Sequence, residues 1–163
     1  MSLFLSLLVA RGVADISGMG VVETTDGPMV LSDLVTDMLV EDGWWSDTQV
    51  KLIRKVGPTE ILRIQTRSTS VEVTPDHTMW TKLRAKPASD LQIGDLLLVH
   101  GEWEIVVRIV KDMAVETVQV LTRNGVLSVD GVTVATDMES LFVIYWNSIM
   151  GYLKRWGGDN GGK

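Results

Sequence analysis

Apolar and polar positions alternate along much of this chain. From Glu60 the run EILRIQT sets Leu62, Ile64 and Thr66 on one parity and Ile61, Arg63, Gln65 and Arg67 on the other, and Val71 and Val73 flank Glu72. A period of two is the pattern of a half-buried strand. These runs predict a hairpin over residues 60–66 and 70–74, ended by Pro75, with Asp76 and His77 just beyond it. The same reading predicts strands over 21–25, 29–31, 50–56, 96–99, 103–110, 115–122, 126–129 and 132–135. Turns separate them at Asp26-Gly27-Pro28, Gly57-Pro58, Gly94-Asp95, His100-Gly101 and Asp130-Gly131, because glycine takes positive φ freely and proline pre-sets its own. Asn124-Gly125 predicts a tight hairpin with positive φ at both central residues. One stretch departs from alternation. Ser32-Asp33 is a helix-capping pair, and Leu34, Val35, Met38 and Leu39 follow at helical spacing, which predicts a short helix through Val40. Many short strands at this spacing predict an all-β domain rather than βαβ units.

The two ends differ from the middle. Residues 1–14 are apolar on nearly all sides and predict a packing segment; the run is too short to span a bilayer and lacks the basic leading region of a signal segment. Residues 137–156 contain no turn signal before Gly151 and place Leu141, Ile144, Tyr145, Ile149, Tyr152 and Trp156 at helical spacing. They predict a C-terminal helix whose apolar face, widened by Phe142, Val143 and Trp146, needs cover on most sides. The β domain or an oligomer partner is the expected cover, with a membrane interface as the alternative. Residues 157–163 read as a flexible tail. Trp44 and Trp45 are adjacent, so on a strand one faces away from the core and becomes a candidate contact along with Phe142, Trp146, Tyr152 and Trp156.

Composition narrows the chemistry. The 163 residues are 45% hydrophobic, enough for one core, and carry a net charge of -6. A sequence pI near 4.8 argues against non-specific nucleic-acid binding; Arg63, Arg67, Lys82, Arg84 and Lys86 read as a solvated face. Cysteine is absent and there are only two histidines, His77 and His100. No disulfide, thiol nucleophile or cysteine-ligated metal is expected, and no cofactor is called for. His100, in a glycine turn, is expected at the surface.

Four segments, in order, resemble one family. VEVTPDHTMWT, from Val71 to Thr81, looks like the threonine-x-x-histidine block of the Hint domains, the self-processing domains of inteins and hedgehog proteins. ASDLQIGDLLLV resembles their recurring Gly-Asp hairpin, TTDGPMVLSDLV their early Asp-Gly hairpin, and VQVLTRNGVLSVDGVTVAT their closing strands, most closely the hedgehog-like variant. The resemblance covers residues 15–136 and implies a pseudo-twofold, disc-like all-β fold.

It also implies a chemistry. Members attack the carbonyl preceding their own first residue, a Cys or Ser, while the block threonine and histidine hold and protonate the leaving amide nitrogen; imidazole titrates near neutrality and suits that task. Thr74 and His77 match those two positions. The reacting ends do not match. The family's spacing brings the first residue to Asp15, with Ser17 the only hydroxyl nearby, and the closing block offers Ala135-Thr136-Asp137 where inteins have His-Asn. Asn147-Ser148 lies inside the expected helix. The resemblance thus implies a repurposed, non-catalytic structural or interaction subunit, homo- or hetero-oligomeric, cytoplasmic or part of a phage or virus particle. The alternative is self-processing through Ser17 with Thr74 and His77. The family geometry brings its two ends together, so Asp15 and Asp137 could meet, which the sequence alone leaves open. The bland expectation for His77 is a buried ring tied to neighbouring backbone.

Overall fold

Runs rich in valine, isoleucine and threonine form fourteen strands among the described residues, which in this computed structural model are 15–43 and 46–136. In chain order they are β1 (Ile16–Ser17), β2 (Val21–Thr24), β3 (Gly27–Val30), β4 (Leu39–Glu41), β5 (Asp47–Val56), β6 (Thr59–Thr66), β7 (Ser70–Val73), β8 (Thr78–Trp80), β9 (Ala85–Pro87), β10 (Leu96–Val99), β11 (Glu102–Ala114), β12 (Thr117–Thr122), β13 (Val126–Val129) and β14 (Val132–Ala135). The expected packing segment at 1–14, the paired Trp44 and Trp45, the helix at 137–156 and the tail at 157–163 lie outside the described residues.

The strand order explains the shape. It runs β3-β2-β4-β5-β12-β1-β7-β6-β11-β10-β14-β8-β9, with β13 attached to β14. Exchange β1 with β7, β2 with β8, β3 with β9, β4 with β10, β5 with β11 and β6 with β12, and the order reads the same backwards, apart from β14 between β10 and β8. The dyad falls between β1 and β7, where Ile16 pairs with Val73.

Individual hydrogen bonds repeat at a constant offset that carries Ser17 onto Thr74 and Gly20 onto His77. The Gly20 amide donates to the Ser17 carbonyl at 3.0 Å, and the His77 amide to the Thr74 carbonyl at 3.0 Å. Leu31 donates to Gly20 at 2.8 Å, and Ala88 to His77 at 2.8 Å. Leu34 donates to Leu31, and Leu91 to Ala88, both at 3.1 Å, closing matching 3-10 turns at Leu31–Asp33 and Ala88–Asp90. The sequence carries this repeat as Ser-Asp-Leu at 32–34 and again at 89–91.

The core follows from the period-two faces. Ile64, Val71, Val73 and Leu97 from one half meet Ile16, Val40 and Val50 from the other, and the β13–β14 hairpin adds Leu127, Val132 and Val134. Burial of this apolar surface, at about 25 cal/mol per Å², is the main stabilising contribution.

Three expectations need correction. The helix from Ser32 to Val40 is absent. The Ser32 amide goes to Gly18, Asp37 donates to Val50, and Val50 donates back to Met38, so the neighbouring strand takes groups that a helix would pair internally. Val35 and Leu39 are 60% and 45% exposed, so their helical spacing marks no buried face. Second, Asn124-Gly125 does not join paired strands, since β12 lies against β5 and β1 while β13 pairs with β14. Only Gly125 there has positive φ; Asn124 instead reaches Asp42 Oδ2 through Nδ2 at 2.7 Å. The two-residue turns with positive φ at both centres are Asp130-Gly131 and His100-Gly101. Third, the polar stretch after His77 holds the β8–β9 hairpin, which pairs Thr78 with Pro87 and Trp80 with Ala85.

Candidate functional site

Strand β1 meets β7 antiparallel, and their pairing extends past Val73 to Thr74. The Thr74 amide donates to the Asp15 carbonyl at 2.9 Å. Its side chain closes a second contact: Oγ1 accepts the Asp15 amide N–H at 3.0 Å and lies 3.2 Å from the Asp15 carbonyl, to which it donates. Both residues are buried. The amide so gripped belongs to the Ala14–Asp15 peptide bond. A hydroxyl beside that nitrogen can hold it and relay a proton to it.

Asp15 points its carboxyl to the face opposite Ile16. Oδ2 accepts the Thr117 hydroxyl at 3.2 Å, and Oδ1 is buried with no hydrogen-bond partner. Burial pushes the acid above its ordinary range; hydrogen bonds from Gln119 and Thr117 pull it down, nearby Asp76 adds to the rise, and Arg54 opposes it. Thr117 and Gln119 went unassigned by sequence reasoning. Their signal is the polar parity of Thr117 and Gln119 against Val118 and Val120 along β12.

His77 is 1% exposed, and among the described residues neither ring nitrogen makes a hydrogen bond of good geometry. The main chain of His77 is bonded at Thr74 and Ala88; the ring lies against the Ala135 backbone without a hydrogen bond of good geometry. Burial lowers its pKa to about 4, while the Ala135 backbone and Asp76 favour the charged form without reversing the shift. The ring is neutral at pH 7. Ala135 ends β14, so the closing strand arrives at the histidine. The next residue, Thr136, turns elsewhere: its amide donates to Gly125 at 2.9 Å and its hydroxyl shares a hydrogen bond with Thr122 at 3.2 Å.

Ser17 is buried, and its hydroxyl accepts the Met19 amide at 3.4 Å. Hydrogen bonds join Asp15 to Thr74 among the described residues, and none joins Ser17 to Thr74 or His77. The internal repeat gives Ser17 the place of Thr74 in the other half, with Gly20 in the place of His77. His100 is exposed in its turn. Asp137, Trp44, Trp45, Phe142, Trp146, Tyr152 and Trp156 lie outside the described residues, so the expected meeting of Asp15 with Asp137 does too. Among the described residues no three acidic or histidine side chains cluster as metal ligands, and no helix is long and apolar enough to cross a membrane.

No family model matches the chain, and no curated protein does. Solved structures do. The gp41-1 intein superposes with a TM-score of 0.71 over 77% of this chain and 100% of its own, at 15% identity. A bacterial intein-like domain from Clostridium thermocellum gives 0.67 over 77% and 99%, at 18% identity. A DnaB intein from Synechocystis sp. PCC 6803 gives 0.66 over 77% and 99%, at 16% identity. At these identities the likeness speaks for the fold: the palindromic β disc with Thr74 and His77 beside its dyad is the Hint fold of the inteins and intein-like domains.

Proposed function

We propose that this Hint-like domain holds the Ala14–Asp15 peptide bond where its structural relatives process one, does not break it, and serves as a structural or interaction subunit of a larger protein assembly. A phage or virus particle is one such assembly. The observation that carries the reading is the carboxylate of Asp15 next to the amide that Thr74 grips. An acyl shift at that amide needs a thiol or hydroxyl on the first residue, which forms an ester or thioester. A carboxylate would form an anhydride, a far less stable product. With a pKa of about 4, roughly one His77 ring in a thousand carries a proton at pH 7, so the acid form that would serve the leaving nitrogen is scarce.

Intact mass tests this directly. The native chain should keep its full mass after prolonged incubation with excess thiol. Asp15→Cys should restore the missing nucleophile and shed residues 1–14, and adding His77→Ala to that variant should slow the loss at least tenfold. A native chain that cuts itself, or an Asp15→Cys variant that stays whole, would end the proposal.

A second reading, slow self-hydrolysis, is favoured by the buried His77 ring nitrogens and Asp15 Oδ1, which make no hydrogen bond of good geometry among the described residues. Orphaned buried polar atoms cost stability and often mark reactive sites. Mass also separates its versions: a new terminus at Asp15 implicates the Thr74-held bond, one at Ser17 the hydroxyl.

A further inference from the structure

Beside Thr74 the surface opens into a groove of about 330 Å³ lined by Leu62, Pro75, Ala88, Leu91 and Ile109, with Glu60, Ser89 and Lys111 also at its wall. Leu62, Ala88 and Leu91 form a buried floor, whereas Glu60, Ser89 and Lys111 are exposed. The counterpart across the dyad is partly filled: Gly18, which stands where the repeat places Pro75, has the Glu116 carboxylate and the Ser32 side chain within 3.4 Å of where a Cβ would sit. The groove is thus a departure from the internal symmetry, on the half that bears Thr74 and His77.

We propose that this groove receives the apolar segment that precedes Asp15. Direction is the first argument. Strand β1 is antiparallel to β7, and the Asp15 carbonyl and amide are both held by Thr74. Extended backwards past Asp15, the direction of β1 points alongside Pro75, which forms one wall of the groove. Face is the second. Ile16 and Val73 share a face with Leu62, the partner of Val73 on β6. A strand register continued past Asp15 would put the preceding position on that face. Chemistry is the third. Residues 1–14 contain one charged side chain, Arg11, amid leucine, valine and phenylalanine, and the groove offers an apolar floor with an exposed acid, Glu60, and an exposed base, Lys111, at its edge. Arg11 is four residues from Asp15, a reach of about 13 Å when extended, and Glu60 lies on β6, next to β7. The inference rests on the proposed holding of the Ala14–Asp15 bond and extends it: the domain grips the apolar run on the amino side of that bond as well as the amide.

Trypsin supplies the test, since Arg11 is its one target in residues 1–14. In the full native chain, cutting after Arg11, followed by intact mass, should be at least tenfold slower than in the same chain unfolded in urea. Ile109→Glu, which charges the floor, and Ser89→Trp, which fills the groove from its exposed wall, should each speed that cut about tenfold. Glu60→Lys should speed it less. Ser89 is exposed, so its variant leaves the core intact even if Ile109→Glu lowers the melting temperature. Cutting of the native chain at the unfolded rate would overturn the proposal and leave the groove to a second copy or another protein. Slow cutting that neither variant alters would overturn it too, because protection would then arise elsewhere. The fragment lost ends at Arg11, whereas processing at the held bond releases a fragment ending at Ala14, so the two ideas fail separately.

Discussion

His77 combines full burial with two ring nitrogens that make no hydrogen bond of good geometry among the described residues. Its pH dependence follows. The folded pKa, about 4, lies below the ordinary value of 6.5, so between those values the unfolded chain binds the extra proton. Stability is complete above pH 6.5 and falls as the pH drops towards 4, by about 3 kcal/mol for a shift of that size. Asp15 acts in the opposite sense. Its raised pKa means that the folded chain binds its proton first, so acidification relieves a buried charge and offsets part of the loss. Urea denaturation from pH 7 to pH 4 should show the native chain losing stability on acidification, with the loss largely abolished in His77→Leu and steepened in Asp15→Asn. A loss of equal size in native chain and His77→Leu would mean that the ring is not the group responsible. The Thr74–His77 pair and the place of Asp15 were legible as motif and spacing. The burial of the His77 ring against the Ala135 backbone was not, because a ring's surroundings depend on strands far away in the chain. The position of Ser17 was there to be read in the repeated Ser-Asp-Leu, which sets the two halves in register and gives Ser17 the place of a threonine.

Among the elements, strands that alternate cleanly, as at β6 and β7, and short apolar runs bounded by turns, as at β10 and β14, were predicted to within a few residues. Failures came where sequence spacing and burial part company. Val35 and Leu39 imitate a helix face while standing exposed, and the β8–β9 hairpin hides in a polar run because it lies at the sheet's edge. Asn124-Gly125 and Asp130-Gly131 look alike as turns, yet only the second joins paired strands, since Asn124 is committed to Asp42 across the molecule. Glycine turns show the same dependence on surroundings. Gly27 and Gly43 both have positive φ, at 105° and 83°. A methyl on Gly27 meets nothing, whereas one on Gly43 overlaps the Thr133 side chain. Gly27→Ala should cost about 1–2 kcal/mol from backbone strain alone, and Gly43→Ala clearly more. Thr133→Val should match or exceed native stability, because the Thr133 hydroxyl is buried without a partner. Urea midpoints measure all three; equal losses at the two glycines would show that the Thr133 side chain yields freely.

The whole molecule is a palindrome with one interruption. In the first half β2 pairs directly with β4; in the second, β14 stands between β8 and β10 and brings β13 with it. That hairpin carries Leu127, Val129, Val132 and Val134, all fully buried, and ends at Ala135 beside His77. Burying four aliphatic side chains contributes about 1.5–3 kcal/mol each, comparable in sum with the 5–15 kcal/mol that hold a typical domain folded. A chain stopped after Gly125 should therefore show no cooperative melt by circular dichroism. One stopped after Thr136 keeps every described strand pair and should melt within a few degrees of the full chain. If residues 137–156 form the contact that the proposed assembly requires, light scattering should find the full chain associated and the chain stopped at Thr136 monomeric. In the full chain Trp146→Ala or Trp156→Ala should weaken association and leave the melt unchanged, since aromatic anchors dominate interfaces. Association that survives removal of residues 137–163 would move the interface onto the β disc itself. A fall in the β melt equal to the loss of association would assign those tryptophans to the fold instead.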